Sequence, residues 1–466
     1  MKKLQKNRIT FDWKLLPMIV SLAWPTMLEH TMQTAVQYID TAMVGSLGTA
    51  ATAAAGSTTT VNWLIIITLN AVGVGFLSYI AQARGAGEHQ LVRRAVSQAV
   101  LAVMLLGTLM TALTLSLSGT IPRWMQVDLS VRDAAAAYFF VLYLSMLPRT
   151  AMIVFGSVFR AVGDSRTPMR VGVLVNLLNV ILNTLLIYAP RTVIIGSSQL
   201  RVWGAGMGVT GAAAASALSF FLGGILITAA LLRHPELSPA GLSLRPDAAV
   251  LRPCARVAGP LMLQGFCTSA GYVAFASMIN ALGEISTAAH TIANTVESAF
   301  YIPGFGMQAA AASLTGNAIG AGQNRRLKDT AKLLLLCEFI LMILSGCLLF
   351  CFAPRMVGLF TADAAVLLLG ATVLRMVACS EPFYGVSIII EGILQGAGKT
   401  TKPFVFNLIG MWGVRIVGTY ICTRLLHMSL VAAWACMIAH NLLLFTLYTV
   451  YYHRGRWNPL EAGKDT

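Results

Sequence analysis

Residues 24–56 read WPTMLEHTMQTAVQYIDTAMVGSLGTAATAAAG, and this stretch decides the architecture. It is apolar over a length that crosses a bilayer, yet it holds Asp40, with Pro25 in the same predicted helix and Glu29 one turn beyond the proline. A carboxylate at the centre of a membrane helix costs roughly 3 kcal/mol on insertion scales, so its presence marks function by default. The stretch returns in outline 235 positions later without a gap: Pro25, Met27, Leu28, Ala35, Leu47, Gly48 and Ala53 recur as Pro260, Met262, Leu263, Ala270, Leu282, Gly283 and Ala288. Asp40 falls opposite Phe275. The chain therefore reads as a duplicated membrane scaffold in which one copy carries a proton-accepting group that the other lacks.

Composition around this repeat agrees with it. At 57% hydrophobic and 11% charged, with a mean hydropathy of +0.73 over 466 residues, the chain is too apolar for a soluble domain. Apolar runs of about 20 residues, each enough for one spanning helix, fill it between short polar breaks. Those breaks predict an all-α integral membrane protein of twelve transmembrane helices in two six-helix bundles related by pseudo-two-fold symmetry. The domains expected are 1–233, a first lobe, and 254–466, a second lobe, joined by the proline-bearing polar linker 234–253. Six spans per copy is an even number, so both copies lie the same way up and a cavity between them is expected at mid-depth.

The formal charge of +15 raises the question of an acidic partner, and its distribution answers it. Most of the 33 Lys and Arg, beginning with Lys2, Lys3, Lys6 and Arg8, fall on the side of the membrane that carries both termini. The other side receives only Arg123, Arg132, Arg191, Arg201, Arg355 and Arg424. This asymmetry is the positive-inside rule, which predicts a multi-pass protein of the inner (plasma) membrane with both termini cytoplasmic and no nucleic-acid partner. The basic opening imitates a secretory signal, but the run continues through Pro25 without a cleavage site and reads as a retained first span. The eight cysteines contain no CxxC and the seven histidines no HExxH, so neither a disulfide framework nor a firm metal site is expected, and no cofactor.

Several motifs together resemble the multidrug and toxic compound extrusion (MATE) family. They are YIDTAMVGSLG at the end of the first span, the Gly-Ala-Gly turns at 85–87 and 320–322, VFRAVGDSRTP, ILQGAGKTTKP, GVTGAAAASA opening span six and MWGVRI in span eleven. The resemblance covers roughly Trp24 to Trp457. It implies two six-helix lobes and export of organic cations or amphipathic compounds in exchange for H⁺ or Na⁺, H⁺ being favoured here, by a monomer in the lipid bilayer.

By position, Asp40 matches the family's first-helix aspartate, and its expected companions are Asn179 and Asn183, four residues apart on span five. Some family members have an aspartate at the place of Asn183, so their acid pair is reduced here to one acid, with Na⁺ at Asp40 still open. The acids that one sodium-driven branch carries on helices seven and ten align with Thr268 and Tyr384, which puts that second-lobe site in doubt. The chain offers instead Glu297, Glu381 and Glu391. Glu29 and Tyr38 are further candidate cation or substrate residues, and Pro25 is the expected bending point because it leaves the Ser21 carbonyl without its helical partner. Glu29 with His30 reads either as a cleft-facing pair or as a structural hydrogen bond, while Arg149 and Arg415 read as snorkelling residues. A flippase for lipid-linked oligosaccharides shares the architecture and is the rival function, but it calls for several basic residues in the cavity. An enzyme calls for a clustered nucleophile and base, which no span provides.

Overall fold

A computed structural model of the chain describes residues 11–195 and 198–461. The basic opening at Lys2, Lys3, Lys6 and Arg8 lies outside the described residues. Among the described residues eight helices are long and apolar enough to cross a membrane, and two bent helix pairs add two more. Spans one (Leu16–Gly45) and eight (Glu284–Gly320) complete the twelve. These two are long enough but more polar, and they pack against each other across the lobe boundary. Their polar residues meet partners inside the protein: Asp40 and Glu29 turn to spans five and four of their own lobe.

The first lobe contains span one, span two (Thr49–Gly56 continued by Thr59–Gly85), span three (His89–Leu117), span four (Leu129–Tyr143 and Met146–Ala161), span five (Arg166–Leu186) and span six (Gly208–Arg233). The second contains span seven (Ala248–Asn280), span eight, span nine (Asn324–Gly358), span ten (Ala364–Ala378 and Glu381–Gly396), span eleven (Thr401–Leu425) and span twelve (Leu430–His453). The duplication is kept to the residue: helix starts at His89, Leu129, Met146 and Arg166 recur 235 positions later at Asn324, Ala364, Glu381 and Thr401. The register is lost only after span five. There the first lobe inserts the antiparallel strands β1 (Arg191–Ile195) and β2 (Ser198–Val202).

Three features depart from the uninterrupted spans expected. Spans four and ten are each broken, with bends of 49° and 54°, and span two has a short break at Ser57–Thr58. Pro148 and Pro382 lie just inside the second halves of spans four and ten, where proline suits the first turn of a restarting helix. Span eleven passes through two π-helical stretches, Ile409–Ile416 and Ile421–Leu425. Pro25, by contrast, sits inside one continuous helix.

The lobes meet through spans one with eight and two with seven, the pairs that the pseudo-two-fold exchanges, and through spans two and eight on the axis. At the end bearing the Gly-Ala-Gly turns they are clasped symmetrically. Gln82 Nε2 and Ser78 Oγ of span two donate to the Gly396 carbonyl at 2.8 and 3.3 Å. Their counterparts on span eight, Asn317 Nδ2 and Ser313 Oγ, donate to the Ala161 and Arg160 carbonyls at 3.1 and 2.7 Å. Each acceptor closes a helix whose last carbonyls have no partner within the helix, so each lobe satisfies the other's helix end. The turns themselves have a double role. Gly87 and Gly322 take φ of +76° and +66°, the left-handed region that glycine enters freely. A Cβ at Gly85 or Gly320 would collide with the backbone oxygen of Asn317 or Gln82, so the first glycine of each turn permits the clasp.

Candidate functional site

Span one brings Asp40 against Asn179 and Asn183 of span five, the companions that the family resemblance implies. Asn183 Nδ2 donates to Asp40 Oδ1 at 2.5 Å. The Asn179 amide is best satisfied with its nitrogen toward the acid, donating to Oδ1 and Oδ2 at 2.9 and 3.2 Å, while its oxygen accepts from Ser216 Oγ at 3.0 Å. Both asparagines are buried, at 6% and 1% exposure, and Asp40 is partly buried. Two amide groups therefore aim N–H at one carboxyl group, an arrangement in which Asp40 accepts and which suits its ionised form. The reverse arrangement, a neutral Asp40 donating to an amide oxygen, has its acceptor close at hand, because Asn183 Oδ1 is buried without a partner among the described residues. Ser216 went unnoticed in the sequence. It sits in the small-residue run GVTGAAAASA, and a hydroxyl inside a spanning segment was the clue.

Glu29 is not paired with His30. It forms an ion pair with Arg160 Nη1 at 3.4 Å, joining span one to the end of span four, and its side chain packs over Gly172 of span five. Tyr38 is 42% exposed, and its hydroxyl meets the Thr295 carbonyl at 3.1 Å and Ser298 Oγ at 3.2 Å, a bridge from span one to span eight. Pro25 is buried in the cytoplasm-proximal half expected for span one, close to where Gly306 of span eight lets the Met27 backbone approach.

Arg149 and Arg415 do not snorkel. Arg149 is 9% exposed, donates to Asn62 Oδ1 at 2.7 Å and lies over the Phe220 ring at 4.7 Å. Arg415 is 3% exposed, over Phe275 at 4.2 Å and Tyr272 at 4.8 Å. Aromatic faces take guanidinium groups well, and each lobe thereby holds its arginine inside. Glu391 accepts from Gln264 Nε2 at 2.9 Å and from the Tyr448 hydroxyl at 3.3 Å, tying spans seven, ten and twelve together. Glu297 and Glu381 are buried on spans eight and ten. A further acid that the sequence reading passed over, Glu338 of span nine, is buried beside them.

Among the described residues no group of three or more His, Cys, Asp or Glu could hold a metal ion. A cation at Asp40 would meet one carboxyl group and the neutral amides of Asn179 and Asn183.

A MatE family model matches residues 25–185 and again 260–421. The probable multidrug resistance protein NorM of Thermotoga maritima is 26% identical over 94% of this chain and 92% of its own length. Among solved structures, an outward-facing conformation of a multidrug resistance MATE family transporter is similar with a TM-score of 0.86 at 24% identity, covering 96% of both chains. A MATE structure in the straight conformation is similar with a TM-score of 0.85 at 25% identity, again covering 96% of both. The two matched blocks fall one in each lobe, at the register that the repeated prolines set, and the chain belongs to the MatE family, the multidrug and toxic compound extrusion transporters.

Proposed function

We propose that the protein exports cationic or amphipathic small molecules in exchange for protons, with Asp40 as the coupling group. The observation that carries this reading is the donor set at Asp40: one carboxyl group with two buried asparagine N–H donors and an idle amide oxygen beside them. A coupling ion can bias the two access states only through different affinity for each. When Asp40 takes up a proton, its O–H needs an acceptor and the two N–H donors lose a charged one. A turn of the Asn183 amide offers Oδ1 to that proton and rebuilds the contact between spans one and five. Pro25 makes span one the element able to bend in response, because the Ser21 carbonyl has no amide N–H four residues on. Bending would close the space beside Asp40 and release substrate.

A single acid among neutral amides favours H⁺ over Na⁺ as the exchanged ion. The clasp at the basic end, together with the positive-inside asymmetry, favours a state closed on the cytoplasmic side and open outward. The flippase alternative needs cationic groups presented to a pyrophosphate. Arg149 and Arg415, held within their lobes by Asn62 and by aromatic rings, do not supply them.

The test is ethidium transport in proteoliposomes with pH and sodium gradients imposed separately. A proton gradient alone is expected to drive uptake, and Asp40→Asn to lower the driven rate at least tenfold. Full gradient-driven transport by Asp40→Asn, or transport that follows only the sodium gradient, overturns the reading.

A further inference from the structure

The two arginines held inside the lobes are not equally satisfied. Arg149 donates a hydrogen bond to Asn62 besides its contact with Phe220. Arg415, also buried, lies over Phe275 and Tyr272 and donates to none of the described residues, and its Nε is enclosed. Glu297 is within electrostatic reach of Arg415, yet the two form no ion pair among the described residues. Aromatic faces return only part of what a guanidinium loses on leaving water, and a buried charge calls for an opposite one.

The groups around Arg415 lack acceptors as well. The Phe275 ring, 4.2 Å beneath the guanidinium, meets His290 edge to face at 5.6 Å, and His290 meets the Trp434 ring in the same way at 5.8 Å. His290 Nδ1 and Trp434 Nε1 are buried without a partner among the described residues. So are both ring nitrogens of His440, which packs against Gly410 on the π-helical stretch that carries Arg415. Such π-helical turns are frequent at functional sites. An arginine N–H and the indole N–H of a tryptophan can only donate, so what completes this cluster is an oxygen acceptor bearing negative charge.

Its place in the repeat is telling. Phe275 stands 235 residues after Asp40, and Arg415 stands 235 after Val180, the neighbour of Asn179. Where the first lobe sets an acid against amides, the second sets an aromatic ring beneath a guanidinium. One fixed positive charge matches a monoanion rather than a pyrophosphate, and the planar guanidinium fork fits a carboxylate with two parallel hydrogen bonds. The flat rings of Tyr272 and Phe275 suit an aryl group carrying that carboxylate. Tyr272 is exposed and His290 only partly buried, so the approach lies on their side.

We propose that the second lobe binds the carboxylate of an amphipathic aromatic small molecule, with Arg415 as its anchor and His290 and Trp434 as further hydrogen-bonding groups. The two lobes then present opposite charges at equivalent depths. This deepens the reading of the chain as a small-molecule exporter, on which it rests, by assigning the second lobe a choice among substrates.

The test uses two dyes that differ at one group. Rhodamine 110 carries a free carboxylate beside its cationic ring system, and rhodamine 123 is the methyl ester. Fluorescence polarisation with the purified, full-length protein in detergent is expected to show tighter binding of rhodamine 110. Arg415→Gln should reduce that preference at least tenfold, and Trp434→Phe several-fold. Equal weakening of both dyes would mark Arg415 as a packing residue and overturn the site, as would an unmodified protein without the preference. Should Arg415→Gln fail to fold, competition on the unmodified protein decides. Benzoate should displace rhodamine 110 at concentrations where benzamide does not, and equal displacement by the two overturns the site. Displacement by phosphatidylglycerol but not by benzoate would assign the cluster to a lipid phosphate and overturn the proposal too. Ethidium has no carboxylate, so its pH-driven transport by the unmodified protein reports on the export reading alone.

Discussion

In the first lobe the buried acid stands on span one and is answered by amides of span five. The same positions in the second lobe are Phe275, Val414 and Gly418, and the acids there stand on spans eight, nine and ten instead. Two copies of one backbone have thus placed their buried carboxyl groups on different helices. The first-lobe site is nearly satisfied, with one amide oxygen left over at Asn183. Among the described residues, the second-lobe acids leave Glu338 with both oxygens unpartnered and Glu381 with one. Duplication preserves the framework because helix starts, turns and clasp are fixed by backbone geometry. Buried charge is set side chain by side chain, so it was at liberty to diverge.

The clasp is where the two copies agree most closely, and breaking it gives the largest effect expected after loss of Asp40. Gln82→Ala with Asn317→Ala removes one amide donor from each side. At about 1 kcal/mol per hydrogen bond, the pair costs about 2 kcal/mol of the closed state, roughly a thirtyfold shift in the balance of access states. Spin-label distances across the Gly-Ala-Gly end, measured in nanodiscs, should show the separated population rising. By symmetry, each single variant should contribute about half. A shift produced wholly by one of them would show that the lobes do not share the closure equally.

The prolines sharpen the comparison at smaller cost. Pro25→Ala and Pro260→Ala each restore an N–H to a helix interior, the first toward Ser21 and the second toward Arg256. Only span one carries an acid whose protonation could use the bend. Pro25→Ala is expected to lower pH-driven ethidium transport several-fold, and Pro260→Ala by less than twofold. Equal losses would mean that flexibility at this depth serves both lobes and is not tied to Asp40.

Much of this was legible in the chain itself. The gapless repeat announced two lobes, because hydropathy sets the spans and the recurring prolines and glycines set the register. That Asn179 and Asn183 share a face was legible because they stand four residues apart on a helix, whereas their meeting with Asp40 came from the family resemblance. The breaks in spans four and ten were hidden by continuous apolar sequence through Leu144-Ser145 and Cys379-Ser380, although Pro148 and Pro382 marked the restarts. The hairpin was masked by its place between two strong spans, despite the β-branched residues from Thr192 to Ile195. Glu338 interrupts the apolar run LLLLCEFILM and met the same criterion as Asp40. It escaped because no repeat or motif pointed at it. What sequence could not disclose is which carboxyl oxygens find partners, since that depends on how separate helices meet.

The smallest expected effect tests the equivalence of the helix starts opposite the clasp. Asp128 and Asp363, 235 residues apart, cap the first halves of spans four and ten. Asp128 Oδ1 accepts from the Ser130 amide at 2.8 Å and hydroxyl at 2.6 Å, and Asp363 accepts from the amides of Ala365 and Val366 at 2.8 and 3.0 Å. Asp363→Ala is expected to cost about 1 kcal/mol, as for caps in general, with a matching small fall in melting temperature for Asp128→Ala. The Ser130 hydrogen bonds hold the Asp128 carboxyl below its ordinary range. Its contribution is therefore complete above the unfolded value near about 4 and disappears as pH falls through the lower folded value. Melting curves of Asp128→Ala and the unmodified protein should differ at neutral pH and converge only in strong acid. A difference that grows as the pH falls would show that the capping bonds do not favour the ionised carboxylate, and that the first-lobe helix start is held by something other than its cap.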